Sequence, residues 1–221
     1  MTTEHRENLS CGLCGEENEY RVIGSTNSFG QPDLDTRPSE MERSTLFAWV
    51  QRCPDCGYCA PDVSAPCAAA KAVVAGAAYR EQLNDSAFPP LANTFLCKAL
   101  LGRETGNLAT ATWGYIHAAW VCDDANQVEQ ASKCRRRAAE LLVLAEAEGQ
   151  RVCDQDGLST AIHVDLLRRA GEIERARQVL AQPVKKGTDD VITLMLVFQA
   201  LLLDRNDLGC HTVGKALDRM R

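Results

Sequence analysis

The chain carries Cys11-Gly12-Leu13-Cys14-Gly15 near its start and Cys53-Pro54-Asp55-Cys56-Gly57-Tyr58 further on. Each Cys-x2-Cys-Gly run predicts a tight knuckle whose backbone amides point at the sulfurs. Two knuckles supply four thiolates, which close a tetrahedral sphere. Cys11, Cys14, Cys53 and Cys56 are therefore the expected ligands of a structural metal, and zinc is the expected ion. Such a sphere defines a scaffold and leaves no coordination position for a substrate.

Cys59 extends the second knuckle to Cys53-x2-Cys56-x2-Cys59, which opens the ferredoxin iron–sulfur pattern. The pattern then fails, because its fourth position is Val63 and Cys67 comes four residues too late. A dithiol redox role for Cys56 and Cys59 is the other competing reading. Cys59 is expected to be a buried apolar thiol beside the site rather than a ligand.

The 221 residues are 45% hydrophobic, enough for a folded core in one large domain or two small ones. Eleven cysteines, an odd number with no export signal, favour reduced thiols in the cytosol over a disulfide framework. The formal charge is -6, and residues 1–60 hold five Arg and no Lys against ten Asp and Glu. Four thiolates around a dication add two more negative charges. Phosphate contacts need Lys and Arg, so the charge argues against nucleic acid as a partner. With no run of 18 apolar residues, a membrane span is not expected either.

Residues 1–10 are polar and read as loose. The runs 20–23 and 46–50 alternate like short strands that leave the first knuckle and enter the second, giving a small sheet around the metal. After Pro61 the period becomes helical. Helices are predicted near 67–83, 90–101, 109–122, 126–148, 158–169, 172–181, 190–203 and 208–219, broken by Gly106-Asn107, Gly171, Pro183 with Gly187, and Asn206-Asp207. In the fourth, Val128, Ala131, Ala138, Leu142 and Ala145 share a stripe, and Arg135 to Arg137 read as a solvated face. The apolar run 191–203 is too short to cross a bilayer and reads as a largely buried helix. The expected fold is mainly α: a small β zinc ribbon over 1–62 followed by a tetratricopeptide-like helical array over 63–221.

The repeat reading rests on Gly106, Ala111, Tyr115 and Ala118, which match the turn glycine and the small and large positions of a tetratricopeptide unit. Gly171, Ala176 and Leu180 repeat the first three, and Pro183 departs from the pattern. The 65 residues from Gly106 to Gly171 approximate two repeats, and Asn206 follows 35 later.

The N-terminal C-G-x-C, the loop Gly30-Gln31-Pro32-Asp33-Leu34-Asp35-Thr36-Arg37-Pro38 and the C-P-x-C-G-Y knuckle followed by helices together resemble a family of uncharacterised bacterial proteins, a domain of unknown function. The resemblance implies a zinc ribbon joined to tetratricopeptide-like helices and supplies no reaction.

Outside the cysteines, Asp33, Asp35 and Arg37 are the main concentration of polar chemistry. They read as a loop fixed by local Asp-to-amide bonds with Arg37 pairing to one of the acids, or as a recognition loop that binds a ligand or partner. His117 and His163 sit among apolar residues and read as packing histidines. Cys97, Cys122, Cys134, Cys153 and Cys210 read as small core hydrophobes. No catalytic constellation is identifiable. The expected function is a non-enzymatic cytosolic adaptor with a protein partner. The alternative is a metalloenzyme or ligand sensor that uses Asp33, Asp35 and Arg37 near the zinc, which requires one of the four cysteines not to be a ligand.

Overall fold

The computed structural model describes residues 1–183 and 187–219. The first residues are not loose: Thr3–Ser10 forms β1, antiparallel to β2 (Glu17–Ser25). Nearly every β1 side chain is exposed, so no apolar alternation announces the strand. The main-chain ladder holds it, with the cross-strand pairs Arg21 to Glu4 at 2.6 Å and Thr3 to Ser25 at 2.8 Å.

The run 46–50 is not a strand. It closes a 3₁₀ helix, Glu42–Ala48, and the turn that leads into β3 (Gln51–Arg52). Thr45 Oγ1 donates to the Glu42 carbonyl at 2.8 Å and accepts from Trp49 Nε1 at 3.0 Å, spans that an extended chain cannot bridge. Leu46 and Val50 are both buried at helical spacing, a case in which a short apolar run does not reveal its period. β3 pairs antiparallel with β4 (Cys59–Ala60), so the N-terminal region holds two separate two-stranded ribbons rather than one sheet.

Helix α1 (Ala70–Ala75) is followed by α2 (Ala77–Leu83), where one helix was expected; Gly76 between them is extended, with φ −68° and ψ 148°. Next come α3 (Pro90–Glu104), opened by Pro at its first position, α4 (Leu108–Asp124) and α5 (Val128–Ala147). They are followed by α6 (Leu158–Arg169), α7 (Ile173–Leu180), α8 (Asp190–Asp204) and α9 (Val213–Asp218).

Five of these helices end on the same turn. Gly106, Asn126, Gly149, Gly171 and Asn206 all have positive φ, and in each turn the next amide reaches back five residues, as Asn107 N–H does to the Gly102 carbonyl at 2.8 Å. This is the Schellman cap; after those at Gly106, Asn126 and Gly171 the next helix starts at once, with three residues between helices. Close packing follows. A Cβ on Gly114 would lie 2.8 Å from Ala99 Cβ, and one on Gly102 would lie 3.1 Å from the Ala111 amide nitrogen. Ala111, Ala118 and Ala176 are fully buried where the helices meet.

The single helix expected over 126–148 is present as α5, so no turn interrupts the interval from Gly106 to Gly171 at its midpoint. One feature of the array differs from expectation. On α5, Val128 is 78% exposed, whereas Arg135 is 3% exposed and paired. Between the strands and helices, the 30–38 loop crosses the molecule: Leu34 N–H donates to the His211 carbonyl at 2.9 Å and Val213 N–H to the Pro32 carbonyl at 2.8 Å. The ribbons and the helices share one continuous buried core.

Candidate metal centre and the buried ion network

The knuckles are local copies of each other. In the first, the Cys11 N–H reaches the Glu16 carbonyl at 2.9 Å and the Gly15 N–H the Cys11 carbonyl at 2.7 Å; in the second, Cys53 N–H to Tyr58 is 2.8 Å and Gly57 N–H to Cys53 is 2.9 Å. Both turns close on a glycine with positive φ, 85° at Gly15 and 78° at Gly57, which a side chain would strain. Gly12 N–H donates to the Val63 carbonyl at 2.9 Å and so ties the first knuckle to the chain that leaves the second.

This places the four predicted sulfurs together, all within 4.8 Å of one another. Cys11 to Cys56 is 3.7 Å and Cys14 to Cys53 is 3.6 Å. A tetrahedron with metal–sulfur bonds of about 2.3 Å has edges of about 3.8 Å, whereas a disulfide closes to about 2.05 Å. The spacing suits a shared ion and excludes a bond between the pairs. The electrostatics agree. Burial opposes ionisation of Cys11, but the Cys14 and Leu13 amides, with the Cys56 and Cys14 sulfurs, hold its thiol below the ordinary range. Burial, followed by the neighbouring sulfurs of Cys53, Cys11 and Cys14, pushes Cys56 well up. Four sulfurs this close cannot all ionise without a cation among them. Among the described residues no other set of three or more donor side chains is close enough to hold an ion.

Cys59 lies outside this set. It is fully buried, its N–H donates to Tyr79 Oη at 3.0 Å, and its thiol donates to the Gly57 carbonyl at 3.3 Å.

Asp33, Asp35 and Arg37 are brought together with one another and not with the sulfurs. All three are buried, at 2%, 0% and 5% exposure. The local bond is present, since the Arg37 amide donates to Asp35 Oδ1 at 3.3 Å. The stronger partners are remote. Asp35 Oδ2 accepts from Trp120 Nε1 at 2.8 Å and from Arg169 Nη1 at 3.0 Å. Arg37 pairs with Asp124 at 2.6 Å rather than with an acid of its own loop, and Arg43 pairs with Asp33 at 2.6 Å. Arg169 also reaches Asp123 at 2.7 Å, and Asp123 binds Arg135 through both guanidinium nitrogens. Although burial works against its charge, Asp35, Asp165 and Asp123 hold Arg169 well above the ordinary range. The polar loop is therefore a tie that knots the N-terminal region to α4, α5 and α6.

Sequence reading missed Arg43, Trp120, Asp123, Asp124, Arg135 and Arg169 as members of this network. His117 does pack as expected: the rings of Trp49, Phe95, Trp113 and Trp120 lie 4.9 to 5.6 Å from its centroid. His163 is buried to the same degree.

No protein-family model, curated protein or solved structure matches the chain. The cysteine cage and the helical array thus stand on their own geometry. No helix among the described residues is long and apolar enough to cross a membrane.

Proposed function

We propose that this is a non-enzymatic cytosolic adaptor, in which a structural zinc held by Cys11, Cys14, Cys53 and Cys56 braces a tetratricopeptide-like helical array that binds a protein partner. The observation that carries this reading is the four-sulfur cage, which a tetrahedral ion fills completely. A zinc so bound has no position for water or substrate. The acids nearest in kind to catalytic groups, Asp33 and Asp35, are buried and bonded internally, so neither is free to move a proton to a substrate.

The repeated capped hairpins support an interaction role, because stacked helical pairs build broad contact surfaces. Helix α8 presents Val197 and Leu201 at 42% and 37% exposure, on the side away from its buried Ile192, Met195 and Leu202. The free state of all eleven cysteines fits a reducing compartment.

The test is affinity capture from native lysate with the zinc-loaded chain, run beside the double variant Val197→Asp/Leu201→Asp. A specific polypeptide retained in stoichiometric amount by the first and lost from the second is expected. Folded wild-type protein that retains no specific polypeptide would overturn the reading.

A further inference from the structure

Between the second knuckle and the α3–α4 hairpin lies a cleft of about 330 Å³. This is within the range of small-molecule sites, which favour such junctions. Its walls are largely apolar, with Tyr58 and Ala60 from the ribbon side and Leu101 from α3. The cation lining it is Lys98, which makes no ion pair or hydrogen bond among the described residues. The acid lining the cleft, Asp62, is engaged by the amide and hydroxyl of Ser64 at 2.8 and 2.6 Å. Burial alone lowers the pKa of Lys98, with no carboxylate near enough to raise it again. A partly buried ammonium without a counterion is an unfavourable arrangement that an anionic ligand would relieve. Asn107, the N-cap of α4, and Thr110 in its first turn line the same cleft; the Thr110 amide is already capped by Asn107 Oδ1 at 2.9 Å and the Ala109 amide by Gln150 Oε1 at 3.1 Å, so Lys98 is the group that attracts an anion there.

We propose that this cleft binds a small organic monocarboxylate, with its carboxylate against Lys98 and its hydrocarbon part along Tyr58, Ala60 and Leu101. One lysine balances one carboxylate. A phosphate dianion would exceed that charge beside Asp62, and it would leave the apolar walls uncovered. The cleft adjoins the second knuckle, but its lining includes none of the four cage cysteines and none of Asp33, Asp35 and Arg37, and it does not depend on the adaptor reading.

The test is a two-dimensional amide NMR titration of the full zinc-loaded chain at constant ionic strength, with sodium hexanoate, hexanol and inorganic phosphate as separate probes. Hexanoate should shift the Gly102, Thr105, Asn107 and Thr110 amides saturably, and affinity should rise roughly fourfold per buried methylene from butyrate to hexanoate. Hexanol, which lacks the charge, should bind roughly ten- to a hundredfold more weakly, and Lys98→Met should weaken hexanoate by a similar factor. Absence of saturable shifts at these amides, hexanol equal to hexanoate, or phosphate tighter than hexanoate would each overturn the proposal. The hexanoate and hexanol comparison is made on wild-type protein, so it decides the matter even if the variant fails to fold.

Discussion

Replacing Asp35 with alanine should be among the most damaging single changes in the chain, although the residue lies in a loop far from the helices in sequence. The side chain is fully buried and accepts from Trp120 at 2.8 Å, from Arg169 at 3.0 Å and from the Arg37 amide at 3.3 Å. Truncation leaves the Trp120 N–H without a partner inside the core, which costs about 1–3 kcal/mol. It also removes one of the two carboxylates in direct contact with Arg169; breaking a buried pair costs about 3–5 kcal/mol, and the remaining Asp123 contact at 2.7 Å, with Asp165 nearby, places this case at the low end. These terms overlap, so a total of about 3–5 kcal/mol is expected, a large fraction of the roughly 5–15 kcal/mol that stabilises an ordinary domain. Urea denaturation with zinc in excess, followed by tryptophan fluorescence, measures it directly. Arg169→Met should be damaging as well, and the double variant should cost at least 1 kcal/mol less than the two singles added together, in keeping with the roughly 0.5–3 kcal/mol of coupling between contacting residues. If Asp35→Ala unfolds within about 0.5 kcal/mol of wild type, the buried network is not a stabilising tie and this reasoning fails.

Three further outcomes follow from the same geometry. Cys56→Ser should abolish the binding of one zinc per chain, measured by metal analysis after gel filtration, whereas Cys59→Ser should retain it; the reverse result would remove Cys56 from the ligand set. Gly12→Ala should destabilise the ribbon by about 1–3 kcal/mol in the same urea assay, because its Cβ would stand 2.3 Å from Pro66 Cδ and 2.5 Å from the Ser64 carbonyl. Burial holds His163 down to about 4 and, with help from Lys98, His117 down to about 3. The unfolded chain therefore binds more protons below about pH 6.5, and stability falls as pH drops from there toward 4, by at most about 1.4 kcal/mol per unit for each histidine. Protonation of thiolates in an ion-loaded cage would act in the same direction, so the check is the slope of stability against pH in His163→Gln, which should be shallower than in wild type.

How far the sequence was legible depended on how local each determinant is. The sulfur cage could be read because each knuckle closes through hydrogen bonds spanning five residues or fewer, so spacing alone carries its shape. The helix ends at Gly106, Gly171 and Asn206 could be read for the same reason, since a positive-φ cap needs only glycine or asparagine at one position. Strand β1 could not be read, because its exposed side chains leave only main-chain bonding to define it, and that leaves no periodic trace. The partners of the polar loop were out of reach in a different sense: Asp35 and Arg169 stand 134 positions apart, and no local rule pairs them. A signal was nevertheless available. Asp123 and Asp124 end α4, where the partial negative charge of the helix C-terminus disfavours acids. Two adjacent acids against that gradient need compensating cations. The structure supplies Arg135 and Arg169 to the first and Arg37 to the second. A local rule broken twice in succession was thus the mark of a network, while the identity of the answering cations, Arg37 among them, comes only from the fold, which uses that charge internally.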